Sequence, residues 1–150
     1  MITAIETFNR GTHSLADVKE LLAMAVGHPS IEKLANLIDE FYAADYCTIF
    51  VALHSERIIG IIGLDYTHKP QGFITHIAVH PDMRKQGLGR QLIEHVIQTL
   101  ELITVEAETD QDAVDFYTAC EFEVKEIKSQ YEGIRRFRCV KSLAVPMHRS

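Results

Sequence analysis

The sequence predicts a mixed α/β domain of the α+β kind, on three observations. Antiparallel hairpins are predicted towards the start and at the end of the chain. The segment between them reads strand–helix–strand–helix. That middle requires at least one parallel strand pair. At 150 residues and 47% hydrophobic, the chain suffices for one domain, residues 1–150, with a proper core. No repeat, low-complexity tract or linker-like segment divides it.

A short strand is predicted from Ile2 to Ile5. Ser14 and Asp17, three apart, head "LADVKELLAMAV" as a capping-box-like helix start. A second helix is predicted from Ile31 to Tyr42, with Leu34, Leu37, Ile38 and Phe41 on one face. The apolar runs Thr48 to Leu53 and Ile58 to Leu64, separated by "HSER", read as a hairpin. Phe73 to Val79 is the next strand and Leu88 to Leu100 the next helix. "ITVEAE" follows as a strand and "DQDAVDFYTAC" as a helix. "EFEVKEIKSQY" and "IRRFRCVKSL", around Glu132-Gly133, form the closing hairpin.

The net charge of −6 argues against bulk attraction to nucleic acid or an anionic membrane, so an anionic ligand needs a local cationic site. The three cysteines, Cys47, Cys120 and Cys139, form neither a C-x-x-C pair nor a disulfide framework, and a reduced, cytoplasmic setting is expected. "MITAIETFNR" lacks the basic and apolar regions of an export signal. The most continuous apolar run, "IIGIIGL", is too short to span a bilayer, so a soluble protein is expected.

The local cationic site lies in "VHPDMRKQGLGRQL", where Arg84, Lys85 and Arg90 surround two glycines between a strand and a helix. A Walker A loop would need G-x-x-x-x-G-K-[ST], which is absent. A dinucleotide fingerprint would need a third glycine where Leu92 stands. The pattern R-x-x-G-x-G, by contrast, is complete in Arg84, Gly87 and Gly89. Its glycines let the backbone turn and come close to a ligand, so that amides at a helix N-terminus converge on an anion such as a pyrophosphate. A plain strand–helix turn is the simpler alternative.

With this loop, the sequence resembles the GNAT superfamily of acetyl-CoA-dependent N-acetyltransferases, whose R/Q-x-x-G-x-G/A motif "IAVHPDMRKQGLGRQLIEHV" matches throughout. Downstream, "AVDFYTACEF" resembles the family's A-x-x-F-Y-x-x-x-G-F segment through Ala113, Phe116, Tyr117 and Phe122. The resemblance covers nearly the whole chain. It implies the GNAT acyl-CoA N-acyltransferase fold, with a mixed central sheet of about six to seven strands flanked by four helices. Two positions depart from the family. Glu121 stands where glycine is usual, and Asp110 stands near the usual asparagine.

The resemblance further implies acetyl transfer from acetyl-CoA to a primary amine by direct attack in a ternary complex. Ile77, Ala78 and Val79 would lie beside the pantetheine arm. The loop amides from Lys85 through Gln86, Gly87, Leu88 and Gly89 to Arg90 would hold the pyrophosphate, with Arg84 at the loop's start and Asp110 and Tyr117 also at the cofactor. An amine must attack as the free base, which makes a proton acceptor useful. Glu106 is the first candidate, since it resembles the glutamate that serves relatives acetylating protein N-termini, and His76 is the second. Phe73 stands where other relatives place a carboxylate. Tyr117 matches the family's general acid, while Phe116, about 100° away on the helix, is expected to be the core aromatic.

His76 and His80 straddle a strand end with no further ligand at suitable spacing, so no metal is expected. Arg135, Arg136 and Arg138 read as a solvated strand. The implied partner is a small-molecule or peptide amine, with no nucleic acid and no membrane, and homodimerisation is compatible with that reading. The alternative of another class is a non-catalytic acyl-CoA-binding or sensing module of the same fold.

Overall fold

The computed structural model describes residue 2, residues 4–84 and residues 86–143. A seven-stranded sheet with strand order β1-β2-β3-β4-β5-β7-β6 carries helices on both faces. β1 (Ala4–Thr7), β2 (Cys47–His54), β3 (Arg57–Asp65) and β4 (Gln71–Val79) form an antiparallel run. β5 (Thr104–Asp110) lies parallel to β4, because α3 (Leu88–Leu100) carries the chain back across the sheet. The expected hairpin β6 (Glu123–Ile127) and β7 (Arg136–Ser142) closes the sheet, with β7 inserted between β5 and β6. The mixed sheet and four helices are those expected of the fold.

Each face has its own core. α1 (Leu15–Ala25) packs Val18, Leu21 and Leu22 against Ile49, Val51 and Ile61 of the sheet. α3 packs Leu92, Ile93 and Val96 against the opposite face, together with residues of α4 (Val114–Ala119). β3 is buried from Ile58 to Leu64 because it is covered on both sides, which is why it reads as an unbroken apolar run. Ser14 caps α1 as its spacing predicts, accepting from the Asp17 amide at 3.2 Å.

Three expectations are corrected. The second helix does not run as one α-helix to Tyr42. α2 spans Ile31–Asn36 and passes into a π-helical turn, Leu37–Phe41. That wider turn changes the phase, so Phe41 is exposed and Tyr42 is the aromatic turned to the sheet. α4 begins only at Val114, because Asp110 accepts from the Asp112 and Ala113 amides at 2.9 and 3.3 Å and holds the preceding residues in a turn. β6 stops at Ile127, well before the Gly133 turn.

Candidate active site

The ladder between β4 and β5 covers only residues 71–73 and 104–106, ending at the pair Phe73–Glu106. Beyond it the strands part, and a cleft of about 1350 Å³ runs along the unpaired half of β4. The predicted residues of β4 (His76 and residues 77–79) line it, as do Arg84 and residues 87–90 of the loop, Asp110 and Tyr117. Gln86 and Glu106 do not line it, and Lys85 lies outside the described residues.

At one end of the cleft stands the N-terminus of α3. Gly87 sits at φ +75°, the left-handed conformation that glycine adopts without steric cost. Among the described residues no side chain caps the helix, and its first turn holds no acidic residue. These features fit an anion at the helix start. Gly89 has a different reason to lack a side chain. A Cβ there would meet the Phe116 ring at 2.7 Å, so close packing of α3 on α4 requires the glycine. The Arg90 guanidinium donates to the Ala119 carbonyl, and Arg84 Nε donates to the Val79 carbonyl at 3.4 Å. Cations thus mark the α3 end of the cleft, while Glu108 and Asp110 place carboxylates along β5.

Tyr117 is 5% exposed and packs against Phe116 and Phe122 in edge contacts at 5.1 and 5.2 Å. Tyr117 is therefore a core aromatic, and Phe116, expected in that place, is only partly buried against Gly89. The Tyr117 hydroxyl nevertheless has no hydrogen-bond partner among the described residues, and the residue lines the cleft. Burial holds its phenol well above the ordinary range, so it keeps its proton at neutral pH. An orphaned buried donor of this kind fits a ligand atom in the cleft.

His76 is part-buried, and burial lowers its imidazole pKa. Its Nδ1 lies 2.5 Å from the Tyr42 hydroxyl, which is also 2.5 Å from Thr75 Oγ1. Glu106 stands at the apex where the strands part, and its Oε2 accepts from Gln71 Nε2 at 3.1 Å. Among the described residues no cluster of histidine, cysteine or carboxylate could hold a metal ion, and no helix is long and apolar enough to cross a membrane. Glu108, which shares a strand face with Glu106 by the two-residue period, was legible in the sequence but was not singled out. Tyr42 and Thr75 carried no local signal, because they meet across 33 residues of chain.

Residues 15–122 match the model of the acetyltransferase (GNAT) family. The chain belongs to that family. It is 27% identical over 74 residues to an uncharacterised N-acetyltransferase from the lysA 3′ region of Bacillus methanolicus, a match covering 49% of this chain and 62% of that relative. The GNAT fold recurs in an Elizabethkingia anophelis acetyltransferase solved with acetyl-CoA (22% identity, TM-score 0.66, covering 93% of this chain and 97% of that one). It recurs also in the Escherichia coli ribosomal-protein-S18-alanine N-acetyltransferase (19%, 0.69, 98% of each). A third likeness is the dodecameric spermidine N-acetyltransferase of Vibrio cholerae (17%, 0.70, 93% and 92%).

Proposed function

We propose that this GNAT chain is a single N-acetyltransferase domain that moves the acetyl group of acetyl-CoA to a primary amine by direct attack in a ternary complex. The observation that carries the reading is the Tyr117 hydroxyl, without a partner among the described residues and buried on the wall of the same cleft that reaches the start of α3, which no described side chain caps. Acetyl-CoA, when bound, supplies a thioester whose carbon–sulfur bond is exchanged for a carbon–nitrogen bond to the amine. The loop amides of residues 87–90 would hold the pyrophosphate, and the backbone of residues 77–79, free of β5, would hold the pantetheine arm. Glu106, at the apex where β4 and β5 part and beside the cleft wall rather than on it, is the candidate to receive the amine proton, through water. Tyr117, protonated at neutral pH, would donate its proton to the departing sulfur and recover one from water in the cleft. The acceptor is a small-molecule or peptide amine.

A thiol-release screen with acetyl-CoA over a panel of amines and peptide N-termini tests the reading. Amine-dependent thiol release is expected. Tight acetyl-CoA binding with no release on any acceptor would overturn it in favour of an acyl-CoA-binding module. Alanine at Glu106 should depress turnover near neutral pH and lose part of the defect at high pH, where free amine is plentiful. An unchanged pH–rate profile would remove Glu106 from the proton path.

A further inference from the structure

We propose that Tyr42 and Thr75 lock His76 in the tautomer bearing its proton on Nε2, so that His76 serves the cleft as a hydrogen-bond donor and not as a base. The inference deepens the acetyltransferase reading, on which it rests for the use of the donor but not for the tautomer itself.

The contact depends on an irregularity in β4. Gly63 of β3 pairs with His76 but its neighbour Leu64 pairs with Ile74, so Thr75 is an extra residue, a β-bulge. Consecutive strand residues ordinarily point to opposite faces. Here Thr75 Oγ1 and His76 Nδ1 both reach one atom, the Tyr42 hydroxyl, each at 2.5 Å. Gly63 makes the space, since a Cβ there would lie 1.9 Å from that hydroxyl. The π-helical turn delivers Tyr42 to this position, and Phe41 packs edge-on against both rings, at 4.9 Å from Tyr42 and 6.5 Å from His76.

The acidity of each donor and the basicity of each acceptor set the direction of the network. Each hydroxyl has one proton to give, and the neutral imidazole has one nitrogen that donates and one that accepts. The phenol is the more acidic hydroxyl and the imidazole nitrogen the most basic acceptor present. Tyr42 therefore donates to Nδ1, and Thr75 donates to the Tyr42 oxygen. This arrangement uses both hydroxyl protons inside the network. Either direction places one proton outside the network, on Nε2 here and on Thr75 in the opposite one, so the acid–base order of the groups decides. Burial of Tyr42 and His76 favours the neutral form of each. Nε2 then carries the remaining proton and has no partner among the described residues, while His76 lines the cleft. Tyr42 is thus a positioning residue, acting through His76.

Long-range proton–nitrogen NMR correlations of the free protein with isotope-labelled histidine decide the tautomer, His76 being assigned as the set lost in His76→Gln. A protonated Nε2 and an unprotonated Nδ1, biased beyond free imidazole, are expected at mildly alkaline pH. The reverse pattern, or a bias no greater than that of free imidazole, would overturn the proposal. Tyr42→Phe keeps the ring and should relax the bias. Turnover separates donor from base. His76→Gln offers an amide N–H near the place of Nε2 yet takes up no proton, and should turn over several-fold faster than His76→Ala. His76→Ala should lower kcat/KM by about tenfold. A glutamine variant as slow as the alanine one would remove the donor role. A wild type without acetyl transfer would overturn the enzymatic reading and the donor's use together, and the spectra would still decide the tautomer.

Discussion

Tyr117 and Glu121 lie four residues apart, and each carries a prediction. Tyr117→Phe keeps the ring and its contacts with Phe116 and Phe122 while removing only the donor. General acids contribute about 10²–10⁴-fold, so turnover should fall by that order while calorimetry shows acetyl-CoA affinity nearly unchanged. Near wild-type turnover, with chemistry shown to be rate-limiting, would exclude the tyrosine from the mechanism. Glu121 sits at φ +68°, the left-handed region, which glycine, the residue the resemblance leads one to expect there, adopts without steric cost. Relief of that strain, offset by the extra freedom of glycine in the unfolded chain, should make Glu121→Gly more stable by roughly 1 kcal/mol. A urea midpoint at or below that of the wild type would contradict it. The glutamate was visible in the sequence as a departure from the family; its conformation was not, because φ at a helix end depends on where the helix stops.

The loop between β4 and α3 shows how two glycines of one motif serve different ends. Gly87 faces open space but holds φ +75°, so Gly87→Ala should cost roughly 1–2 kcal/mol, read as a lower urea midpoint. Gly89→Ala would drive the Phe116 ring away from α3, and Phe116 lines the cleft. Acetyl-CoA affinity should therefore fall in that variant, and an unchanged calorimetric affinity would show that the ring yields without cost. The order of strands and helices was legible because hydrophobic period, caps and turn residues are local properties. The π-helical turn at Leu37–Phe41 was not, because its apolar spacing also fits an ordinary helix and contacts with the sheet select the register.

Across the whole molecule, two tyrosines from opposite sides of the sheet respond together to alkali. Burial raises the phenol pKa of Tyr42 and of Tyr117 in the folded state. Their contribution to stability is full below the unfolded value near 10 and is lost as pH rises through the folded values. The stability curve should thus fall steeply on its alkaline side, and Tyr42→Phe should flatten that fall. His76 has the opposite sense. Its folded-state pKa is lowered, so its contribution is present above the unfolded value near 6.5 and is lost as pH falls through the folded value. Denaturant titrations across pH check both slopes, and a profile unaltered by Tyr42→Phe would contradict the first.

What the sequence determined by itself was the element order and the family, and it named the glycine loop, Tyr117, Glu106 and His76 as candidates. Motif spacing and hydrophobic period are written along the chain and need no partner to be read. Only the tertiary structure decided that β4 and β5 part beyond Phe73–Glu106, that β7 enters between β5 and β6, and that Tyr117 rather than Phe116 is the buried ring. It also decided that Tyr42 reaches Thr75 and His76 through the space left by Gly63. The physical reason is that such meetings join groups some thirty residues apart, whose proximity is set by sheet register and packing on both faces and leaves no periodic trace in either segment.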